Sequence, residues 1–339
     1  MKRQHLDFEK PIYELQHQLE KLKRQADKEK LDLSEEMEGI TSKIRRTRSE
    51  IYAKLTPWQR VQIARHYGER PFMLDYVENT FDDFMELHGD RLVGDDNAMP
   101  AGFAQINGQK CVVLGHQKGR NTKENLKRNF GSAHPEGYRK AMRIMRLAEK
   151  FKLPVIALID TPGAFPGIGA EERNIAEAIA HNLREMALLK TPIISVVIGE
   201  GGSGGALGIG VADRVLMLEN AYYSVISPEG CAAILWKNGK RAPEAAEALK
   251  ITASDLKGMG IIDTVIPEPE GGAHVDPLSM SLTLKEVLVK ELQALLGFSI
   301  NELLERRYQK FRNLGQYTSV DSSVAEDVPK QVANGGANA

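Results

Sequence analysis

Only two cysteines, Cys111 and Cys231, occur in the 339 residues, so the chain has neither a disulfide framework nor a four-thiolate metal site. Charge of one sign is also missing: 45 Lys and Arg meet 46 Asp and Glu, a net −1, which argues against a whole-surface nucleic-acid binder. No apolar run approaches the roughly 20 residues of a membrane span, and the polar N-terminus lacks a secretory h-region. A cytoplasmic protein is expected. Hydrophobic residues at 42% with charged residues at 27% suit a soluble globular chain of one large or two ordinary domains.

Glycine, in contrast, is gathered in one place. Gly199-Glu-Gly-Gly-Ser-Gly-Gly-Ala-Leu-Gly-Ile-Gly210 follows the apolar run Ile193–Ile198 and leads into residues able to form a helix, as a strand feeding a helix through a turn would. Without Cβ atoms such a turn lets a ligand approach backbone N–H groups. The first N–H groups of a helix have no internal acceptor, so an oxyanion or phosphate site is expected at Gly204 and Gly205. The alternative is that the glycines only permit close packing.

Helical periodicity opens the chain. Ile12, Leu15, Leu19, Leu22 and Ala26 form one stripe, and Met37, Ile40, Ile44, Ile51 and Leu55 a second; together they predict an antiparallel pair over 1–55. The segment 56–89 reads as connecting helices. Thr56-Pro57-Trp58-Gln59 caps one that Gly68 stops, and Pro71 opens another carrying Tyr76, Val77, Phe81, Phe84 and Met85 to Gly89. Asn107-Gly108 joins two strand-like runs, 101–106 and 109–116, as a hairpin. Residues 110–152 hold twelve Lys and Arg against three glutamates. Arg139, Lys140, Arg143 and Arg146 read as the wet face of a helix opened by Pro135; Lys118, Arg120, Lys123, Lys127 and Arg128 sit in a loop better suited to a ligand.

Three β–loop–α units follow. Strand 154–160 leads through Thr161-Pro-Gly-Ala-Phe-Pro-Gly167 to a helix over 170–189. Strand 193–198 leads to the glycine segment, and strands 214–218 and 222–226 to a helix capped by Ser227-Pro228-Glu229. Such alternation predicts a parallel α/β sheet with ligands at the strands' carboxyl ends. The core is placed at 90–270, C-terminal helices at 271–314, with a capping box at Ser299–Glu302, and a disordered tail at 315–339.

Several chemistries fail on spacing. Gly199, Gly201 and Gly204 fit G-x-G-x-x-G, but the segment does not open its unit and Glu219 comes too early for a ribose contact. No Lys-Ser or Lys-Thr follows, which excludes a P-loop. Gly201, Ser203 and Gly205 fit G-x-S-x-G, yet His116, His134, His181 and His274 are scattered and offer Ser203 no base.

Asp160-Thr-Pro-Gly-Ala-Phe-Pro-Gly167, Gly199-Glu-Gly-Gly-Ser-Gly-Gly-Ala206 and Ser227-Pro-Glu-Gly-Cys231, in this order, closely resemble the α subunit of bacterial acetyl-CoA carboxylase carboxyltransferase, and the match runs on through Arg306-Arg307-Tyr308-Gln309. The resemblance implies a crotonase-like superhelix of ββα units with an N-terminal helical extension and C-terminal helices. It implies carboxyl transfer from N1 of carboxybiotin, on the biotin carboxyl carrier protein, to acetyl-CoA, giving malonyl-CoA for fatty acid biosynthesis within an ATP-dependent complex that includes biotin carboxylase. By position, Gly204 and Gly205 would hold the ureido oxygen of biotin. Gly163, Ala164, Gly201, Gly202, Ser203, Ser227 and Glu229 would line the substrate cavity. Crotonase-type hydratases use two glutamates; the first is replaced here by Ala206-Leu207-Gly208, and the biotin nitrogen can itself take the α-proton of acetyl-CoA. In this family a β subunit carries a four-cysteine zinc ribbon. A chain with two cysteines is therefore expected to be α alone, free of metal and active only as α2β2. A thioester hydratase or isomerase, and a scaffold that organises carriers or binds RNA, remain as alternatives.

Overall fold

The computed structural model describes residues 6–66 and 69–315. The expected tail beyond Gly315 and the expected stop at Gly68 lie outside these residues. Eight strands form one sheet in the order β1 (Asp82–Glu86), β2 (Ala101–Ile106), β3 (Gln109–Gly115), β4 (Val155–Thr161), β5 (Ile193–Gly202), β6 (Arg214–Leu218) and β8 (Thr264–Ile266), with β7 (Tyr222–Ser224) joined to β5 off this path. β1 to β3 are antiparallel, and every pairing from β3 onward is parallel. The hairpin turns at Asn107 (φ 49°) and Gly108 (φ 77°), the paired positive φ of a type I′ turn. β4 and β5 are buried along their whole length, as parallel strands covered on both faces require.

The N-terminal stripes form the helices Lys10–Glu29 and Ser34–Tyr52. They lie antiparallel, with Tyr52 reaching back to Glu9 (2.7 Å) and Ile12, Leu15 and Ile44 closing a small core of their own. Thr56 and Gln59 make the expected capping box. Ser299 accepts the Glu302 N–H, so half of the box expected there forms.

Four expectations change. The helix opened at Pro71 spans Met73–Thr80 only, and Phe84 and Met85 lie in the edge strand β1. Asp82 and Asp83 would face the negative end of a longer helix; Asp83 instead takes φ 53°, beside the register shift in β1–β2. The sheet thus begins inside the segment expected to hold connecting helices. The helix expected over 170–189 divides into Ile168–Glu172 and Ile175–Leu188 at Asn174, whose φ is 62°. Lys140 is not on a wet face: it is fully buried and donates to Asp96 O (2.8 Å) beside the Asp95 carboxylate. The basic loop at 118–128 contains a short helix, Thr122–Lys127, capped by Asn121.

The C-terminal helix Ile300–Arg312 is fastened by Arg307, 1% exposed. Its guanidinium donates twice to Asp213 (2.8 and 2.7 Å) and to the carbonyls of Met186, Leu189 and Thr191 (each 2.8 Å). Asp213 in turn accepts the N–H of Ile193 at the start of β5 (2.7 Å). Arg307→Ala leaves a buried carboxylate unpaired, and denaturant titration should show a loss of about 3–5 kcal/mol.

Candidate active site

The glycine segment is less of a loop than its composition suggests. Gly199, Glu200, Gly201 and Gly202 continue β5 as buried strand, with Glu200, Gly201 and Gly202 paired to Tyr222, Tyr223 and Ser224 of β7. The turn into the helix Ser203–Leu207 is taken at Ser203, whose φ is 48°. β5 therefore forks: residues up to Val197 pair with β6, and its last three with β7.

Four of the expected site residues come together here. A Cβ on Gly205 would stand 2.4 Å from Ala164 N and 2.5 Å from Gly163 C, so the loop after β4 lies directly against the first turn of the helix. Gly204 is different: a Cβ there meets only Ile179, at 3.7 Å, and one on Gly163 (φ 153°) meets nothing within 4 Å. Gly205 is thus a close-packing glycine, Gly163 borders open space, and Gly204 has room for a Cβ in ordinary contact with Ile179. The Gly163 N–H is taken by Thr161 Oγ1 (3.1 Å) and the Phe165 N–H by Ala133 O (3.0 Å). The N–H groups of Ser203, Gly204 and Gly205, in the first helical turn, have no acceptor within the helix. Tyr138 Oη donates to Gly205 O (3.1 Å), and its ring fills the space a Cβ on Gly208 would take (2.6 Å).

The other expected residues are placed apart from this pair of loops or beneath it. Gly201 packs against the Tyr223 ring and Gly202 against Pro162 O, both inside the strand. Ser203 lines a mainly apolar cleft of about 330 Å³ with Leu207, Val211, Tyr223, Ser224, Leu256 and Phe311; no histidine is among its walls. Ser227 caps the helix Pro228–Trp236 by accepting the Gly230 N–H (3.1 Å). Glu229 is bound through Oε1 to Arg65 Nη1 (2.6 Å).

Beneath the glycines lies a buried set of charges that the sequence reading missed. Lys118 Nζ bridges Asp160 Oδ1 (2.6 Å) and Glu200 Oε1 (2.9 Å). Glu200 Oε2 accepts from Arg65 Nε (2.8 Å) and from Tyr222 Oη (2.6 Å), while Arg65 Nη2 donates to Tyr222 Oη (2.9 Å). Behind them Arg70 and Glu268 form a fully buried pair at 2.7 Å. One signal was available: Glu200 is a carboxylate inside a strand otherwise made of apolar residues, serine and glycine, and a buried charge requires a partner. Its partners, 82 and 135 residues away in sequence, carry no mark of the pairing. Among the described residues, no group of three or more His, Cys, Asp or Glu is arranged to hold a metal ion.

Residues 5–315 match the family model described as acetyl co-enzyme A carboxylase carboxyltransferase-like. The chain belongs to this carboxyltransferase family. It is 54% identical over 320 residues to the acetyl-coenzyme A carboxylase carboxyl transferase subunit alpha of Halalkalibacterium halodurans, covering 94% of this chain and 98% of that one. It is 55% identical over 312 residues to the protein of that name from Thermus thermophilus, covering 92% and 98%. Among solved structures, the β subunit of geranyl-CoA carboxylase from P. aeruginosa superposes with a TM-score of 0.53 at 13% identity, covering 78% of this chain and 48% of that one. Transcarboxylase 12S gives 0.52 at 20% identity, covering 64% and 41%. These two likenesses are of fold alone, and the crotonase-type architecture expected of the carboxyltransferase family holds.

Burial alone would push the Glu200 carboxyl up, but Lys118 and Arg65 hold it down at about 2, below its ordinary value near 4.5. A depressed folded-state value stabilises the fold above the unfolded value and loses that stabilisation as pH falls. Thermal melts should therefore show stability declining from about pH 4.5 towards pH 2, and Glu200→Gln should make that part of the profile shallower, the remaining slope coming from Asp90, Asp95 and Glu268, whose carboxyls are also held down.

Proposed function

We infer that the chain is the α subunit of a biotin-dependent acetyl-CoA carboxyltransferase, which moves the carboxyl group of carboxybiotin onto acetyl-CoA to form malonyl-CoA, the first committed step of fatty acid synthesis. The observation that carries this reading is the contact of the Gly163–Ala164 loop with the Gly204–Gly205 turn in a chain of this family. Two stretches of backbone meet at the carboxyl ends of β4 and β5, where a parallel sheet places its ligands.

Fit to biotin rests on the room beside Gly163 and Gly204. A Cβ on Gly163 would meet nothing and one on Gly204 only the Ile179 side chain, without a clash, so a ring carried on another protein can reach the backbone. Carboxybiotin supplies the carboxyl group, and this chain supplies donors. The N–H groups of Gly204 and Gly205 are held in the first turn of a helix, aimed where oxygen gains negative charge as the carboxyl group leaves. Fixed donors at such a position stabilise the developing charge without reorganising. Ser203, set at φ 48°, turns the chain so that these donors face outward; it acts as a hinge of the backbone and not as a nucleophile. Glu229 serves as an ion-pair partner of Arg65.

A hydratase or isomerase of the same fold would need a carboxylate able to take and return a proton. Glu200 is committed to Lys118, Arg65 and Tyr222 and stays ionised down to about pH 2. The enzyme is completed by a zinc-ribbon β subunit in an α2β2 assembly, and it works in the cytoplasm with the biotin carboxyl carrier protein and biotin carboxylase.

Two measurements test this reading. The purified chain should form no malonyl-CoA from carboxybiotin and acetyl-CoA until β is added; turnover by the chain alone refutes the shared site. Gly204→Val should assemble with β and lose about 10²-fold in kcat, the usual cost of disturbing one oxyanion donor. Gly205→Val meets the backbone of the Gly163–Ala164 loop and should fail by thermal shift instead of by kinetics alone.

A further inference from the structure

In β4 and β5, Ile159 pairs with Val197 and Thr161 with Gly201, so Asp160 alone faces Ile198, Gly199 and Glu200. This is a bulge, and the backbone ladder is interrupted across it. Side chains take the ladder's place. Asp160 Oδ1 accepts the Glu200 N–H (2.9 Å), and Arg70 Nε and Nη2 donate to Ile198 O (3.1 and 2.9 Å). A Cβ on Gly199 would meet the Asp160 carboxylate at 2.5 Å, so the glycine makes room for that carboxylate. Past the bulge the strand leaves β6 and joins β7. The direction in which Glu200, Gly201 and Gly202 depart sets the direction of the turn that follows.

We propose that Lys118 and Asp160 are positioning residues for the Gly204–Gly205 donors, acting through the bulge in β5 and not by touching substrate. The proposal rests on the function inferred above. Asp160 and Glu200 are two buried carboxylates, with side chains 1% and 10% exposed, and one ammonium is bonded to both. Without it they repel in a medium of low dielectric. Asp160, whose carboxyl burial already pushes up, can take a proton, but either way the charge that holds Glu200 in place is lost, and the strand beyond the bulge is free to move because it is held on one side by only the three pairs to β7. That movement carries Ser203 and the donors with it. Neither residue needs to reach the reacting atoms for the effect to appear in turnover, since a displacement of about 1 Å at a reacting centre costs on the order of 10²-fold.

The test uses the assembled complex of this chain with β. Asp160→Ala removes the one acceptor shared by the Lys118 ammonium and the Glu200 N–H and so unties the bulge; Lys118→Gln removes the ammonium. Each should lower kcat by about 10- to 100-fold while the KM for acetyl-CoA stays within about twofold, and Lys118→Arg should recover most of the loss. A merely structural role would lower the melting temperature and the yield of active complex, with kcat per active complex unchanged. That result overturns the proposal, as does a kcat within about threefold of wild type for both variants. Should Lys118→Gln not assemble, Asp160→Ala decides. A crystal structure of the Asp160→Ala complex separates this inference from the functional one. Unmoved backbone from Glu200 to Gly205 overturns the positioning role whatever the activity, whereas a wild-type complex that forms no malonyl-CoA refutes the function and leaves the bulge result standing.

Discussion

One oxygen of Asp160 accepts both the Lys118 ammonium and the Glu200 N–H, and the site above it depends on that double acceptance. A strand that must leave one neighbour and join another has to break its ladder, and the broken peptide groups need partners in a place water does not reach. Charged side chains satisfy them because charge-assisted hydrogen bonds are the stronger kind. A charge so buried needs its own partner, and the demand passes outward from Asp160 to Lys118, Glu200, Arg65 and finally Glu229 at the rim.

Much of the scaffold could be read from the sequence, and the reasons are local. The Asn107-Gly108 hairpin, the Thr56 capping box and the apolar strand runs are each fixed by neighbours a few residues apart. The errors fall where a local preference was overruled at a boundary. Two aspartates ended the helix after Thr80, and Asn174 broke another by turning left-handed. Lys140 looked solvated by helical period, yet Asp95 and Asp96, 45 and 44 residues earlier, draw it inward.

The site was legible in its glycines and not in its charges. Gly163, Ala164, Gly204 and Gly205 announced themselves as motifs and do meet in space. What periodicity could not reveal is that two neighbouring glycines differ, Gly205 standing where a Cβ would strike the loop and Gly204 where one would fit. The buried ion cluster was invisible for a related reason. Its members come from the connecting helix, the basic segment and two strands, and only the folded sheet brings them within 3 Å.

The Arg307 clamp bears on how the chain is made. Asp213 is buried at the mouth of β5, and its counter-charge lies 94 residues further along. A sheet that closed before the last helix was made would therefore close around a carboxylate without its counter-charge. Every unfinished or clipped chain that stops short of Arg307 carries that unpaired charge in its interior, which marks it for unfolding and proteolysis. The last helix thus ties the stability of the core to the completion of the chain.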